Sequence, residues 1–208
     1  MKVGAVVLAA GASRRLGSPK QLVAVDGVPL VRQAALAALA SSDAVAVVVG
    51  AHASRVARAL DGLDVFVLWN DAWREGMASS IRAGAAWARA RRLGALIVMV
   101  ADQPRITARH LERLRIAHGR TRGIAASRYA GALGVPAIFP REHFASLLAL
   151  TGDRGARMLV RSDARAFVDW QGGALDVDTP RQLSRATAPK RPRIRRGASP
   201  RSRAAASA

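Results

Sequence analysis

Cysteine is absent from this 208-residue chain, which excludes a disulfide framework and any thiolate metal site and suits a reducing compartment such as the cytoplasm. No apolar run is long enough to span a membrane. The arginines follow the apolar start, whereas a signal peptide puts its positive charge first, so neither export nor membrane association is expected. The four histidines, His52, His110, His118 and His143, lack metal-ligand spacing and read as surface helix positions; no Ser-His-Asp arrangement is legible. No Gly-Lys-Ser/Thr closes a Walker-A loop, no G-x-G-x-x-G is present, and there is no internal repeat.

Acidic residues are also scarce: 14 Asp and Glu stand against 33 Lys and Arg, for a formal net charge of +19. The excess is unevenly spread. Residues 188–208 hold Lys190, Arg191, Arg193, Arg195, Arg196, Arg201 and Arg203 and no acid, among Pro, Ser and Ala without apolar periodicity, which reads as a basic disordered tail. Residues 1–187 keep a smaller excess and read as one domain, half of the whole chain being hydrophobic and long enough for one sizeable core. Such a charge concentrates phosphorylated ligands; it equally supports weak, salt-sensitive nucleic-acid binding by the tail. The dominance of arginine over lysine, with abundant alanine, also matches the coding habit of a GC-rich genome.

What is present is organised around residues 8–20, Leu-Ala-Ala-Gly-Ala-Ser-Arg-Arg-Leu-Gly-Ser-Pro-Lys. They follow a short β-branched run, 3–8, that reads as a buried parallel strand, so the loop leaves a strand's carboxyl end, where open α/β sheets bind ligands. Gly11 and Gly17 let the main chain fold closely round a polyanion and aim N–H groups at phosphate oxygens. Arg14 and Arg15 can grip phosphate in a bidentate way, and Lys20 adds a point charge.

Further strands are expected at 44–49, 65–69 and 95–100, alternating with helices at 29–40, 51–60, from Ser79 or Ser80 to about 92, and after Thr107. This alternation implies right-handed β-α-β units, hence an α/β fold of three α/β/α layers with a mostly parallel, Rossmann-like sheet. The later half is looser: strands at 123–127, 135–139, 166–170 and 174–177, short helices at 140–150 and 153–161, and a last helix at 179–186. Trp69, Trp73, Trp87 and Trp170 lie in or beside these elements and read as packing.

Two carboxylates suit Mg²⁺, which takes oxygen ligands and shares them among carboxylates, phosphates and water. Asp102 ends the fourth strand beside the first loop, and Asp178 ends the strand 174–177, although each could instead cap a helix. Asp176 lies on the same strand face as Asp178 and is its alternative. The stretch 75–82, with Ser79, Ser80 and Arg82, opens a helix where a base or phosphate could be held. Gly134-Val135-Pro136 and the run 152–157 are glycine-marked loops where a second substrate could bind, with a hairpin turn and a helix start as the plainer readings.

Taken in order, residues 8–20, Asn70 with 75–80, Asp102-Gln103-Pro104, Gly134-Val135-Pro136, 152–157 and 176–180 resemble the MobA-like nucleotidyltransferases, and among them the molybdenum cofactor cytidylyltransferases. The first motif resembles the signature L-A-A-G-x-S-x-R-M-G-x-x-K, with Leu16 in place of Met. The resemblance implies a Mg²⁺-dependent nucleotidyltransferase fold and the transfer of CMP from CTP, or of another nucleotide from its triphosphate, to the terminal phosphate of molybdopterin, with a molybdoenzyme receiving the product. It further implies that Leu8, Ala9, Ala10, Gly11, Ala12, Ser13, Arg14, Lys20, Asn70, Ser79 and Ser80 bind the nucleotide. Arg14, Lys20 and Asp102 would then be catalytic, Asp102 and Asp178 would hold the metal, and Gln103, Pro104, Gly134, Pro136 and Gly155 would bind the acceptor. Guanylyl-transferring members tend to have Gly where this chain has Ala10, which favours cytidine. The alternatives are another phosphorylated acceptor, such as a sugar phosphate, and a basic nucleic-acid-binding protein.

Overall fold

The valine and alanine runs are apolar at every position rather than at alternate ones, and strands of that kind must be covered on both faces. The computed structural model, which describes residues 1–13, 17–153 and 155–174, has that arrangement. Its strands are β1 (Val3–Ala9), β2 (Ala24–Val25), β3 (Val28–Pro29), β4 (Ala44–Val49), β5 (Phe66–Trp69), β6 (Ala95–Val100), β7 (Ile124–Tyr129), β8 (Ala132–Pro140) and β9 (Ala164–Asp169). The helices are α1 (Leu30–Leu39), α2 (Ala53–Arg58), α3 (Met77–Ala90), α4 (Ala108–Thr121), α5 (Phe144–Leu148) and α6 (Arg157–Asp163).

Seven strands form one sheet in the order β5-β4-β1-β6-β8-β7-β9. The first four are mutually parallel, β8 runs antiparallel to both β6 and β7, and β9 is parallel to β7. Alternation along each strand feeds two cores. Ala5, Val7, Val47 and Ile97 face α1, α2 and α4 through Val31, Val56 and Leu111. Val6, Val48 and Val98 face α3, α5 and α6 through Ile81, Phe144 and Val160. The expected three-layer α/β/α architecture is therefore present, and no helix among the described residues is long and apolar enough to cross a membrane.

Chain order reverses at β1, whose neighbours are β4 on one side and β6 on the other, so the carboxyl ends of β1 and β6 form a switch-point crevice. Leu8 pairs with Val100, and the Ala101 N–H donates to the Leu8 carbonyl at 3.1 Å. The loops after residues 9 and 100 consequently leave the sheet side by side.

Several expectations need correction. The helix expected to start at Ser79 or Ser80 starts at Met77, with Gly76 as its cap at φ 106°, a backbone angle that side chains resist. A β2–β3 hairpin, closed by Asp26 and Gly27 at φ 53° and 78°, lies in the stretch between the first loop and α1; both positive angles fit a primed two-residue turn. His110 and His118 are buried rather than at the surface, only 4% and 2% exposed. The His110 ring stacks on Trp170 at 4.8 Å, and His118 Nδ1 lies 2.8 Å from the Gly123 carbonyl, so α4 turns both rings inward. Trp69 is 59% exposed and does not pack, because β5 is an edge strand. The strand expected at 174–177, the helix at 179–186 and the tail at 188–208 lie outside the described residues, apart from Ala174, which ends a 3₁₀ turn (Gln171–Ala174).

Candidate nucleotide site

The crevice at the ends of β1 and β6 opens into a cavity of about 520 Å³. Leu8, Ala10, Gly11, Ala12 and Ser13 form one side of it, with Lys20 and Asp102 beside them. Trp73, Arg74, Gly76, Met77, Ser80 and Asp153 complete its lining, with Trp73 next to Ala10 across Gly50.

The loop is shaped by a residue that sequence reasoning missed. Gln21 is buried, 2% exposed, and its Nε2 donates to the Ala9 carbonyl at 3.0 Å and to the Gly11 carbonyl at 2.6 Å. Its Oε1 accepts from Ser13 Oγ at 3.3 Å, and Ser13 Oγ in turn accepts from the Lys20 N–H at 2.9 Å. A side-chain amide offers both donors and an acceptor, which is what joining three points of a folded loop requires. Ser13 sits at φ 54°, in the left-handed region, and these two bonds hold it there. The sequence signal was a polar residue directly after the signature lysine, and composition alone gives it no role.

Lys20 Nζ donates to Asp102 Oδ2, with both side chains only partly exposed. Asp102 Oδ1 is buried and has no hydrogen-bond partner among the described residues. A buried carboxylate oxygen without a donor is strained electrostatically, and a hard cation with substrate phosphates fits it. No group of three or more His, Asp or Glu side chains is gathered for a metal among the described residues. Arg14, Asp176 and Asp178 lie outside the described residues.

The remaining expected residues fall into two clusters. Asn70 Nδ2 donates to Ser79 Oγ at 2.9 Å and to Ser80 Oγ at 3.0 Å, and Ser79 Oγ donates to the Gly76 carbonyl at 2.9 Å. All three are buried, but of them only Ser80 lines the cavity; Asn70 and Ser79 position the α3 start. Arg82 donates to the Leu150 carbonyl at 2.9 Å and to the Glu75 carboxylate at 2.5 Å, so it clasps two loops instead of facing the cavity. The other cluster gathers Gln103, Gly134 and Pro136 round Val135. Gln103 is buried, its Nε2 lies 3.4 Å from the Val135 carbonyl, and Tyr129 Oη donates to the same carbonyl at 3.1 Å. A Cβ at Gly134 would lie 2.6 Å from Tyr129 Oη, which explains the glycine by packing. Pro104 follows in the same loop, while Gly155 lies away from it, against Met77. None of the five acceptor candidates lines the cavity.

A family model described as the MobA-like NTP transferase domain matches residues 5–167. The chain belongs to this family. A protein named nicotine blue oxidoreductase, from Paenarthrobacter nicotinovorans, is 33% identical over 199 residues, covering 88% of this chain and 95% of that one. A molybdenum cofactor guanylyltransferase from Rhodobacter capsulatus is 30% identical over 189 residues, covering 89% and 95%. The crystal structure of Rv0371c from Mycobacterium tuberculosis H37Rv superposes with a TM-score of 0.76 at 32% identity, covering 89% and 97%, and the same protein has been solved in complex with manganese. The chain is thus a nucleotidyltransferase of the MobA-like family, on the fold its sequence motifs implied.

Proposed function

We propose that this member of the MobA-like family transfers CMP from CTP to the terminal phosphate of molybdopterin in the cytoplasm, releasing pyrophosphate, for delivery to a molybdoenzyme. The observation that carries the reaction type is the meeting of the Gln21-stapled loop, Lys20 and Asp102 over the ends of β1 and β6. A phosphate acceptor is already anionic at neutral pH, so no general base is needed; positioning and charge neutralisation suffice. The main chain of residues 9–13 holds base and ribose, while Arg14 and Lys20 neutralise the triphosphate. Asp102, with Asp178, would hold Mg²⁺, which when bound would withdraw charge from the α-phosphate. With substrate bound, Lys20 would pair with phosphate and Asp102 would be left as a ligand for the cation.

The acceptor rests on the order of the motifs and on the Rhodobacter relative's name. The preference for CTP rests on Ala10, a buried residue lining the cavity at the position where guanylyl-transferring members tend to have glycine. The guanylyl reading is the second one, favoured by that same relative. Purified protein given Mg²⁺ and CTP or GTP, each with and without molybdopterin, is expected to release pyrophosphate only with CTP and the pterin. Preference for GTP moves it to the guanylyl branch, and release with neither overturns the proposal, leaving the oxidoreductase named among its relatives as the next activity to assay.

A further inference from the structure

Besides Ser13, Lys20 and Asp102, the cavity lining includes Trp73, Arg74, Met77 and Asp153, which bring an indole, a guanidinium, a thioether and a carboxylate to it. Asp153 is exposed and has no hydrogen-bond or ion-pair partner among the described residues. A carboxylate repels phosphate, so at the edge of a triphosphate site it is suited to accepting from N–H groups instead.

This wall is built rather than incidental. A Cβ at Gly76 would lie 2.4 Å from Asp153 Oδ1 and 2.7 Å from the Gly152 carbonyl oxygen, so only glycine lets the two loops touch there. The Ala78 N–H donates to the same Gly152 carbonyl at 3.1 Å, and Arg82 ties Glu75 to Leu150 across the contact. Trp73 is anchored at its base: its Cβ would lie 2.7 Å from a Cβ at Gly50, and Arg74 lies over its ring at 4.4 Å. Trp73 is therefore held against Gly50, which also packs on Ala10 of the phosphate loop, and the Asp153 loop is held against Gly76.

We propose that Trp73 and Asp153 form a heterocycle-reading wall, Trp73 packing against a planar ring and Asp153 accepting from that ring's amino group. This rests on the nucleotidyltransferase reading and names a specificity element for it. The chemistry is shared by two sources. The base of the nucleotide carries such a group, as the 4-amino of cytosine or the 2-amino edge of guanine, and the pterin of the acceptor carries the same 2-amino edge as guanine.

Asp153→Asn keeps the size and replaces an acceptor oxygen with a donor. Loss of a hydrogen bond to a charged group predicts a KM increase of about 10- to 100-fold for one substrate, with the change falling in KM rather than kcat. If the nucleotide base is the source, KM for CTP rises and the variant shifts toward UTP, which presents a carbonyl at the same ring position. If the pterin is the source, KM for molybdopterin rises alone. Trp73→Ala is expected to raise the same KM, and Trp73→Phe to restore most of it. Equal KM values for both substrates in Asp153→Asn and wild type, or a fall in kcat with both KM values unchanged, overturns the proposal. Direct binding of CTP, GTP, UTP and molybdopterin in the presence of Mg²⁺, followed by calorimetry, separates it from failure of the parent reading. Wild type that binds but does not turn over defeats the reaction assignment; an affinity order unchanged by Asp153→Asn defeats the wall. Matching melting temperatures establish that the variants are folded.

Discussion

Gln21 is the position where one substitution should disturb both stability and substrate binding. Its amide donates to the Ala9 and Gly11 carbonyls and accepts from Ser13, at 2% exposure. Gln21→Ala leaves two carbonyls without their donor and opens space beside the cavity. An unsatisfied buried group costs about 1–3 kcal/mol, and water entering from the adjoining cavity repairs part of that, so about 2–4 kcal/mol is expected. For a chain of this size about 2–4 °C of melting temperature follows each kcal/mol, which puts the loss at roughly 5–15 °C. Gln21→Glu separates bonding from packing: it keeps the volume, but its ionised carboxylate has no donor for either carbonyl and should be at least as destabilising near neutral pH. Protonation restores one donor, so the gap to wild type should narrow as pH falls through the carboxylate range near 4. Differential scanning fluorimetry across pH, with KM for the nucleotide in parallel, checks both effects; KM is expected to rise about tenfold as Gly11 and Ser13 lose their anchor. A Gln21→Glu protein that melts within about 1 °C of wild type near neutral pH and keeps its nucleotide KM, a threshold below the roughly 2 °C per kcal/mol scale, would refute the stapling argument.

Lys20→Ala and Asp102→Ala should each lower kcat by about 10²–10³-fold without unfolding the protein, since Lys20 neutralises phosphate and Asp102 would hold the cation that does the same; steady-state pyrophosphate release and a melting curve check this. Gly76→Ala forces a side chain onto φ 106° and into Asp153 and Gly152, and should lower the melting temperature and weaken nucleotide binding together, measured on the same sample. Gly84→Ala puts a methyl 2.7 Å from Val6 Cγ2 under α3, an overpacking of about 1–3 kcal/mol readable by denaturant titration. Burial, then the nearby Arg113, lowers the His110 pKa from 6.5 to about 4. The unfolded chain then binds the extra proton first, so stability is full above about pH 6.5 and is lost as pH falls toward 4; His110→Phe should flatten that part of a stability-versus-pH curve.

The alternation of buried strands and helices was legible because strands covered on both faces must be continuously apolar, as 44–49 and 95–100 are. The place of the loop after β1 was legible because the apolar run before it ends at Gly11, and the cavity lies there. The α3 cap was misplaced by three or four residues because serine is a good cap in isolation, and only the contact between Gly76 and the loop at Gly152 makes a glycine the better one. The same limit hid Gln21, since a glutamine becomes a staple only when the loop it joins has folded back over it. The resemblance placed Asn70 at the nucleotide, and polarity at a helix start placed Ser79 and Arg82 there, yet Asn70 bonds Ser79 and Ser80 while Arg82 bonds the Leu150 carbonyl and Glu75. His110 and His118 follow the same logic: their spacing on α4 says that they share a helix, while the packing of α4 against β7 and β9 decides that they are buried. Sequence by itself thus determined the periodicities, the strand ends and the charged loop, all local properties of the chain. Tertiary structure decided which polar side chains face the cavity and which are spent on holding its walls, because a hydrogen-bond partner distant in sequence is chosen only when the layers pack.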